Sequence, residues 1–134
     1  FTGVSVGNPH CVIFKQPGEA WTREDLLTLG PALENHSLFP KRTNVQLAVP
    51  TGPKDIFILI WERGAGETQA SGSSSCAAAS AAVRLGLVKG PVTVKMPGGT
   101  LNIEVAQDFS LTMKGPVAEV ARGALSPSFV RGLK

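Results

Sequence analysis

Apolar positions along the chain recur with two different periods, and each period predicts its own kind of element. Short alternating or continuous apolar runs at Val4–Val6, Cys11–Phe14, Val45–Val49, Ile56–Trp61, Val92–Met96, Leu101–Val105, Ser110–Met113 and Val117–Val120 read as strands. Turns rich in glycine and proline separate them, among them Gly7-Asn8-Pro9-His10, Pro50–Lys54, Pro97-Gly98-Gly99-Thr100 and Gly115-Pro116. Leu26, Leu27, Leu29 and Leu33 follow a helical period instead. Thr22 offers that helix a hydroxyl cap, Glu24 and Asp25 stand in its first turn, and Gly30-Pro31 should break it before a second turn or two reaches Asn35. It reads as a surface helix packing one face, with no visible chemistry. From Arg122 onward the tail is polar, contains proline and should be loosely held.

The segment from about Ser75 to Leu87 does not fit a surface helix. Ala77, Ala78, Ala79, Ser80, Ala81 and Ala82 leave no polar face before Arg84. Small residues all round predict a helix enclosed on every side, ended by Gly86 and Gly90-Pro91. The expected fold is therefore α+β, with about seven strands wrapped around a central small-residue helix. Ser71-Gly72-Ser73-Ser74-Ser75 leads straight into that helix. Its first amides lack intrahelical partners and the helix dipole is positive there, so the bend should accept a carboxylate or phosphate. Ile56–Trp61 delivers Glu62 and Arg63 to the neighbouring glycine turn. An adjacent acid and base usually form a surface pair worth little, but their aim into the glycine loop favours a functional reading.

Composition narrows the classes. The 134 residues are 43% hydrophobic, enough for one domain with a core, and the longest apolar run is too short to cross a bilayer. The net charge of +3 is spread over the chain, with no basic stripe for nucleic acid. Cys11 and Cys76 read as reduced thiols of a cytoplasmic protein, with Cys76 packing in the central helix. His10 and His36 lack metal-ligand spacing with cysteine, so no metal is expected. Gly64-Ala65-Gly66 lacks the lysine of a phosphate loop. The first residues alternate as a strand without a basic leader, so no signal peptide is expected. A chain that begins at Phe1 rather than methionine fits a piece of something longer.

Several motifs stand in order along the chain: Gly7-Asn8-Pro9-His10, Arg42-Thr43-Asn44-Val45, and Trp61-Glu62-Arg63-Gly64-Ala65-Gly66-Glu67-Thr68. Ala70-x-Gly72-Ser73-x-x-Cys76-Ala77-Ala78 and Pro97-Gly98-Gly99 come after them. Together they resemble the diaminopimelate epimerase family, from Val4 to about Val120. The resemblance implies the C-terminal half of such an enzyme over residues 1–134, an antiparallel-rich, β-barrel-like sheet around the helix. The N-terminal half would supply the other wall of a cleft, and a homodimer is a further possible partner. The implied chemistry is epimerisation of an amino-acid α-carbon without any cofactor, most simply between LL- and meso-diaminopimelate. Two cysteines, one from each half, would act as base and acid on opposite faces. The resemblance implies that Asn8 and Asn44 bind the substrate's distal polar group, and that Glu62 and Arg63 clamp its amine and carboxylate. Gly72 and Ser73 would bind the α-carboxylate through backbone amides, while His10 and Glu62 tune the catalytic group at position 71.

The chain departs from the family at that position: Ser71 stands where the family has its cysteine. A hydroxyl without an adjacent base cannot do a thiolate's work. Ser71 leaves three readings open: an engineered substitution, a natural branch with another substrate or mechanism, or a domain that binds without catalysing. The rival functional class is accordingly a non-catalytic carboxylate- or amino-acid-binding module. A domain that self-associates through its cleft wall is the third reading.

Overall fold

In a computed structural model, residues 1–133 are described, and their strands form one sheet curled around one helix. The elements are β1 (Thr2–Ser5), β2 (Pro9–Phe14), α1 (Arg23–Glu34), β3 (Asn44–Gly52), β4 (Asp55–Glu62), β5 (Gly66–Thr68), α2 (Gly72–Arg84), β6 (Val92–Met96), β7 (Gly99–Val105), β8 (Leu111–Lys114) and α3 (Pro127–Arg131). The strand order is β1-β2-β3-β4-β6-β7-β8, with β5 paired to β4. β2–β3 and β4–β6 run parallel, and the other pairings are antiparallel. The α+β, antiparallel-rich architecture expected from the chain is the one found.

The alanine helix is the axle of this arrangement. α2 touches every strand of the path from β1 to β8. Ala77, Ala78, Ala79, Ala81 and Ala82 are fully or almost fully buried, against Ile56, Ile58, Ile60, Val92, Val94 and Ile103 from the strands. Side chains of one carbon let the strands come close on all sides, which a leucine-faced helix would forbid. The helix begins at Gly72, three residues before the sequence-based start, because Ser71 serves as its N-cap. At the other end Gly86 takes φ +70°. The Gly86 and Leu87 amides then donate to Val83 and Ala82 carbonyls at 3.0 and 2.9 Å, a glycine stop that uses two otherwise orphaned acceptors.

The first helix corrects one expectation. Gly30-Pro31 does not break α1, which runs through to Glu34. Proline disfavours a helical predecessor partly by clashing with its Cβ, and Gly30 has none. The same missing atom lets α1 lie directly on Trp61: a Cβ at position 30 would sit 2.6 Å from the indole ring. At the N-terminus, Thr22 and Asp25 exchange reciprocal hydrogen bonds of 3.0 and 2.9 Å, the capping that the sequence predicts.

Two strand assignments also change. Gly66–Thr68, read as loop, forms the short β5 and makes a hairpin with the end of β4. Val117–Val120, read as a strand, is irregular and almost fully exposed. Gly115-Pro116 ends β8, and the chain beyond it pairs with no strand among the described residues. The tail beyond it carries α3, a single exposed turn capped by Ser126.

Candidate functional site

Strand register gathers the candidate residues at one end of the sheet. Pro9 opens β2 and Asn44 opens β3, which runs parallel to it with His10 opposite Asn44. β4 returns antiparallel, so its last residues, Trp61 and Glu62, lie beside the start of β3. Helix α2 starts at this same end: Gln46, two residues into β3, donates from Nε2 to Ser74 Oγ at 3.0 Å. Four segments distant in sequence thus meet because each strand begins or ends there.

Asn44 braces the gathering. It is 6% exposed. Its Nδ2 donates to the Pro9 carbonyl at 2.9 Å, and its Oδ1 accepts from the Arg63 amide at 2.9 Å. One amide proton and one lone pair remain for a ligand. Asn8, half-buried, places Oδ1 3.0 Å from His10 Nε2. Arg63 is exposed, and its Nη1 donates to the Lys41 carbonyl at 2.9 Å. Among the described residues no ion pair joins Glu62 to Arg63, so the plain surface-pair reading of these neighbours does not apply.

His10 is buried on β2. Burial pushes its pKa below the ordinary histidine value; Gln46 beside it and the Glu62 charge pull upward, and Arg63 pushes down. His10 Nδ1 and Gln46 Oε1 are both buried without a hydrogen-bond partner. The buried polar group of Asn8, His10, Gln46 and Ser74 is thus held by two separate hydrogen bonds, Asn8–His10 and Gln46–Ser74. It does not reach Ser71: among the described residues no hydrogen bond joins Ser71 to His10 or Glu62.

Ser71 itself acts as the helix cap. Its hydroxyl accepts from the Ser74 amide at 3.4 Å and lies 3.5 Å from Ser73 Oγ. Its carbonyl accepts from Ser75 Oγ at 2.8 Å. Gly72 and Ser73 supply the first amides of the helix, which have no intrahelical acceptor. Two grooves open beside them. One, of about 640 Å³, runs along α2 between the unpaired edges of β1 and β8, lined by Gly3, Gly72, Ser73, Cys76, Arg84 and Met113. The other, of about 280 Å³, lies between Ser71, Gly72 and the Gly98-Gly99 turn. A Cβ at Gly98 would come within 2.8 Å of the Gln69 carbonyl, so this hairpin presses on the loop that carries Ser71.

The cysteines are both reduced, Cys11 buried and Cys76 half-buried on α2 against the core. Burial raises both thiol pKa values, which keeps them protonated near neutrality. Among the described residues no cluster of metal-ligating side chains occurs, and no helix is long and apolar enough to cross a membrane.

Glu34 and Gln46 are the polar residues that sequence reasoning passed over. Glu34 follows Leu26 and Gly30 at one-turn spacing on the inner face of α1, and all three are buried. An acid on that apolar line was the available signal. Gln46 was marked by being the only polar residue in Val45–Val49.

Comparison with known proteins adds a family. The family model described as Diaminopimelate epimerase matches residues 2–120. The diaminopimelate epimerase of Desulfitobacterium hafniense is 46% identical over 125 residues, covering 93% of this chain and 43% of that protein. That of Rhodospirillum centenum is 46% identical over 129 residues, covering 96% and 43%. The chain thus spans less than half the length of these curated relatives. In structure it is similar to a Bacillus anthracis phenazine biosynthesis protein of the PhzF family, with TM-score 0.57 and 16% identity over 80% of this chain and 34% of the other. That likeness concerns the fold alone.

Proposed function

This chain belongs to the diaminopimelate epimerase family, and from that membership we propose that it forms one wall of a cofactor-independent amino-acid epimerase site, with LL- and meso-diaminopimelate as the substrate pair. The observation that supports the reading is that Asn44 ties the Pro9 carbonyl to the Arg63 amide at the end of the sheet where Gln46, on the same strand, bonds Ser74 in the first turn of α2. In this reading the Gly72 and Ser73 amides and the helix dipole hold the α-carboxylate. They also stabilise the negative charge that builds up when the α-proton leaves. Glu62 and Arg63 take the amine and carboxylate, and Asn8 and Asn44 the distal polar group. A base on one face of the α-carbon removes its proton, and an acid on the other face delivers one, so the substrate's composition is unchanged. The second catalytic group and the opposite wall belong to an N-terminal half, which this chain needs for turnover.

Ser71 favours a second reading. Its hydroxyl caps the helix and, among the described residues, has no base in hydrogen-bond reach, which suits binding of a carboxylate without proton transfer. One experiment separates the two. The chain is joined to the N-terminal half of a relative, and entry of solvent deuterium at the α-carbon of meso-diaminopimelate is followed for the Ser71 and Ser71→Cys forms. Exchange in either form supports the epimerase. Calorimetric binding with no exchange in both forms supports the binding module and removes the catalytic claim.

A further inference from the structure

Glu34, at the end of α1, has a charged side chain that no role above uses, yet it is only 5% exposed. Its Oε1 accepts from Arg42 Nη1 and from the Gly64 amide, each at 2.9 Å. Its Oε2 accepts from Trp61 Nε1 at 2.7 Å. The three donors flank the site: Arg42 lies two residues before Asn44, and Trp61 and Gly64 bracket Glu62 and Arg63.

We propose that Glu34 is a positioning residue of the site: its carboxylate fastens the start of β3 to the turn after β4 and so sets Arg63 against Asn44. The inference rests on the reading of Asn44 and Arg63 as ligand-binding groups. Arg42, in one of the fastened segments, holds a backbone shape that needs support. Arg42 takes φ +58°, a left-handed conformation unusual for a side-chain-bearing residue, and Gly64 takes φ +81°. Among the described residues, Arg63 is otherwise tied by its amide to Asn44 and by its guanidinium to the Lys41 carbonyl.

The chemistry of the group matters as well as its place. An ionised carboxylate carries no proton to donate, so it can accept from all three neighbours at once. Glutamine has the same shape but turns an NH₂ toward either the indole N–H or the Arg42 and Gly64 donors. The Trp61 indole, the Gly64 amide and the Arg42 charge hold the Glu34 carboxyl below the usual range although burial opposes them. An acid in the last turn also faces the negative end of the helix dipole, a placement that helix stability alone would not select.

The test uses the 134-residue chain, with meso-diaminopimelate as the binding probe. Glu34→Gln is expected to speed hydrogen exchange at the Arg63 and Gly64 amides by about tenfold or more and to weaken calorimetric binding by about tenfold. Ile103→Val, a core change on β7 away from these contacts, should leave both readouts unchanged. If Glu34→Gln does not fold, Arg42→Ala removes one donor only and should show a smaller change of the same kind. Unaltered exchange at Arg63 and Gly64 in a folded variant overturns the proposal. A wild-type chain that fails to bind diaminopimelate sinks the site reading instead, and exchange at the two amides still decides the role of Glu34.

Discussion

His10 shows how burial and hydrogen bonding oppose each other within one side chain. The imidazole is enclosed on β2, and desolvation favours its neutral form more than Gln46 and Glu62 favour the charged one. An unfolded histidine titrates near 6.5. Below that value the unfolded chain takes up a proton that the folded chain resists, so folding should lose stability as pH falls. The contribution is fully present above the unfolded value of about 6.5 and is lost as pH drops through the lowered folded value. Urea unfolding between pH 5 and 8 should show stability rising with pH, and His10→Gln should flatten that rise. Stability that climbs on acidification across this range contradicts the neutral assignment. Glu34 acts in the opposite pH region: its lowered pKa makes its contribution vanish only in the carboxylate range. Residue types at this scale were legible where motifs carried them, as with Asn8, Asn44, Glu62 and Arg63. Glu34 was not, because its partners lie 8, 27 and 30 positions away in sequence.

At the scale of elements, α2 is defined by what it lacks. Ala78 is wholly buried within the ring of strands, in a core without slack for larger side chains. Ala78→Leu should destabilise the chain by about 1–3 kcal/mol through overpacking, although leucine is itself a good helix former. Arg84→Ala, at an exposed position of the same helix, should fall within about 0.5 kcal/mol of the parent. Equal midpoints for the two variants in urea would show that α2 is not the enclosed axle. α1 teaches the complementary lesson. Gly30-Pro31 reads as a helix break from local preference, yet the missing Cβ relieves the clash with proline and admits Trp61. Tertiary contact thus reverses the local signal. β5 escaped notice for a related reason: three residues with two glycines nearby show no period, and only the end of β4 gives them a partner.

At the scale of the whole molecule, the sheet winds from β1 to β8 around one axle and leaves its two end strands unpaired beside the groove along α2. The C-terminal tail beyond β8 lies outside this enclosure. Val117 and Val120 are almost fully exposed, and α3 has no buried residue. Truncation after Val120 should therefore leave the thermal midpoint of this chain unchanged. A clear fall in the midpoint would mean that the tail supports the core.

The buried alanine helix, most of the strands around it and the residue types available for chemistry can be read from the chain alone. Those depend on local periodicity, side-chain volume and backbone preference, which a short window of chain contains. Which of these residues meet depends on packing between distant segments. Parallel pairing of β2 with β3 and the return of β4 bring Asn8, Asn44 and Arg63 to one end of the sheet. The same packing turned an unremarked acid, Glu34, into the partner of three segments. Such contacts depend on register between distant strands and on close approach around glycine, and neither quantity is written in any single stretch of the chain.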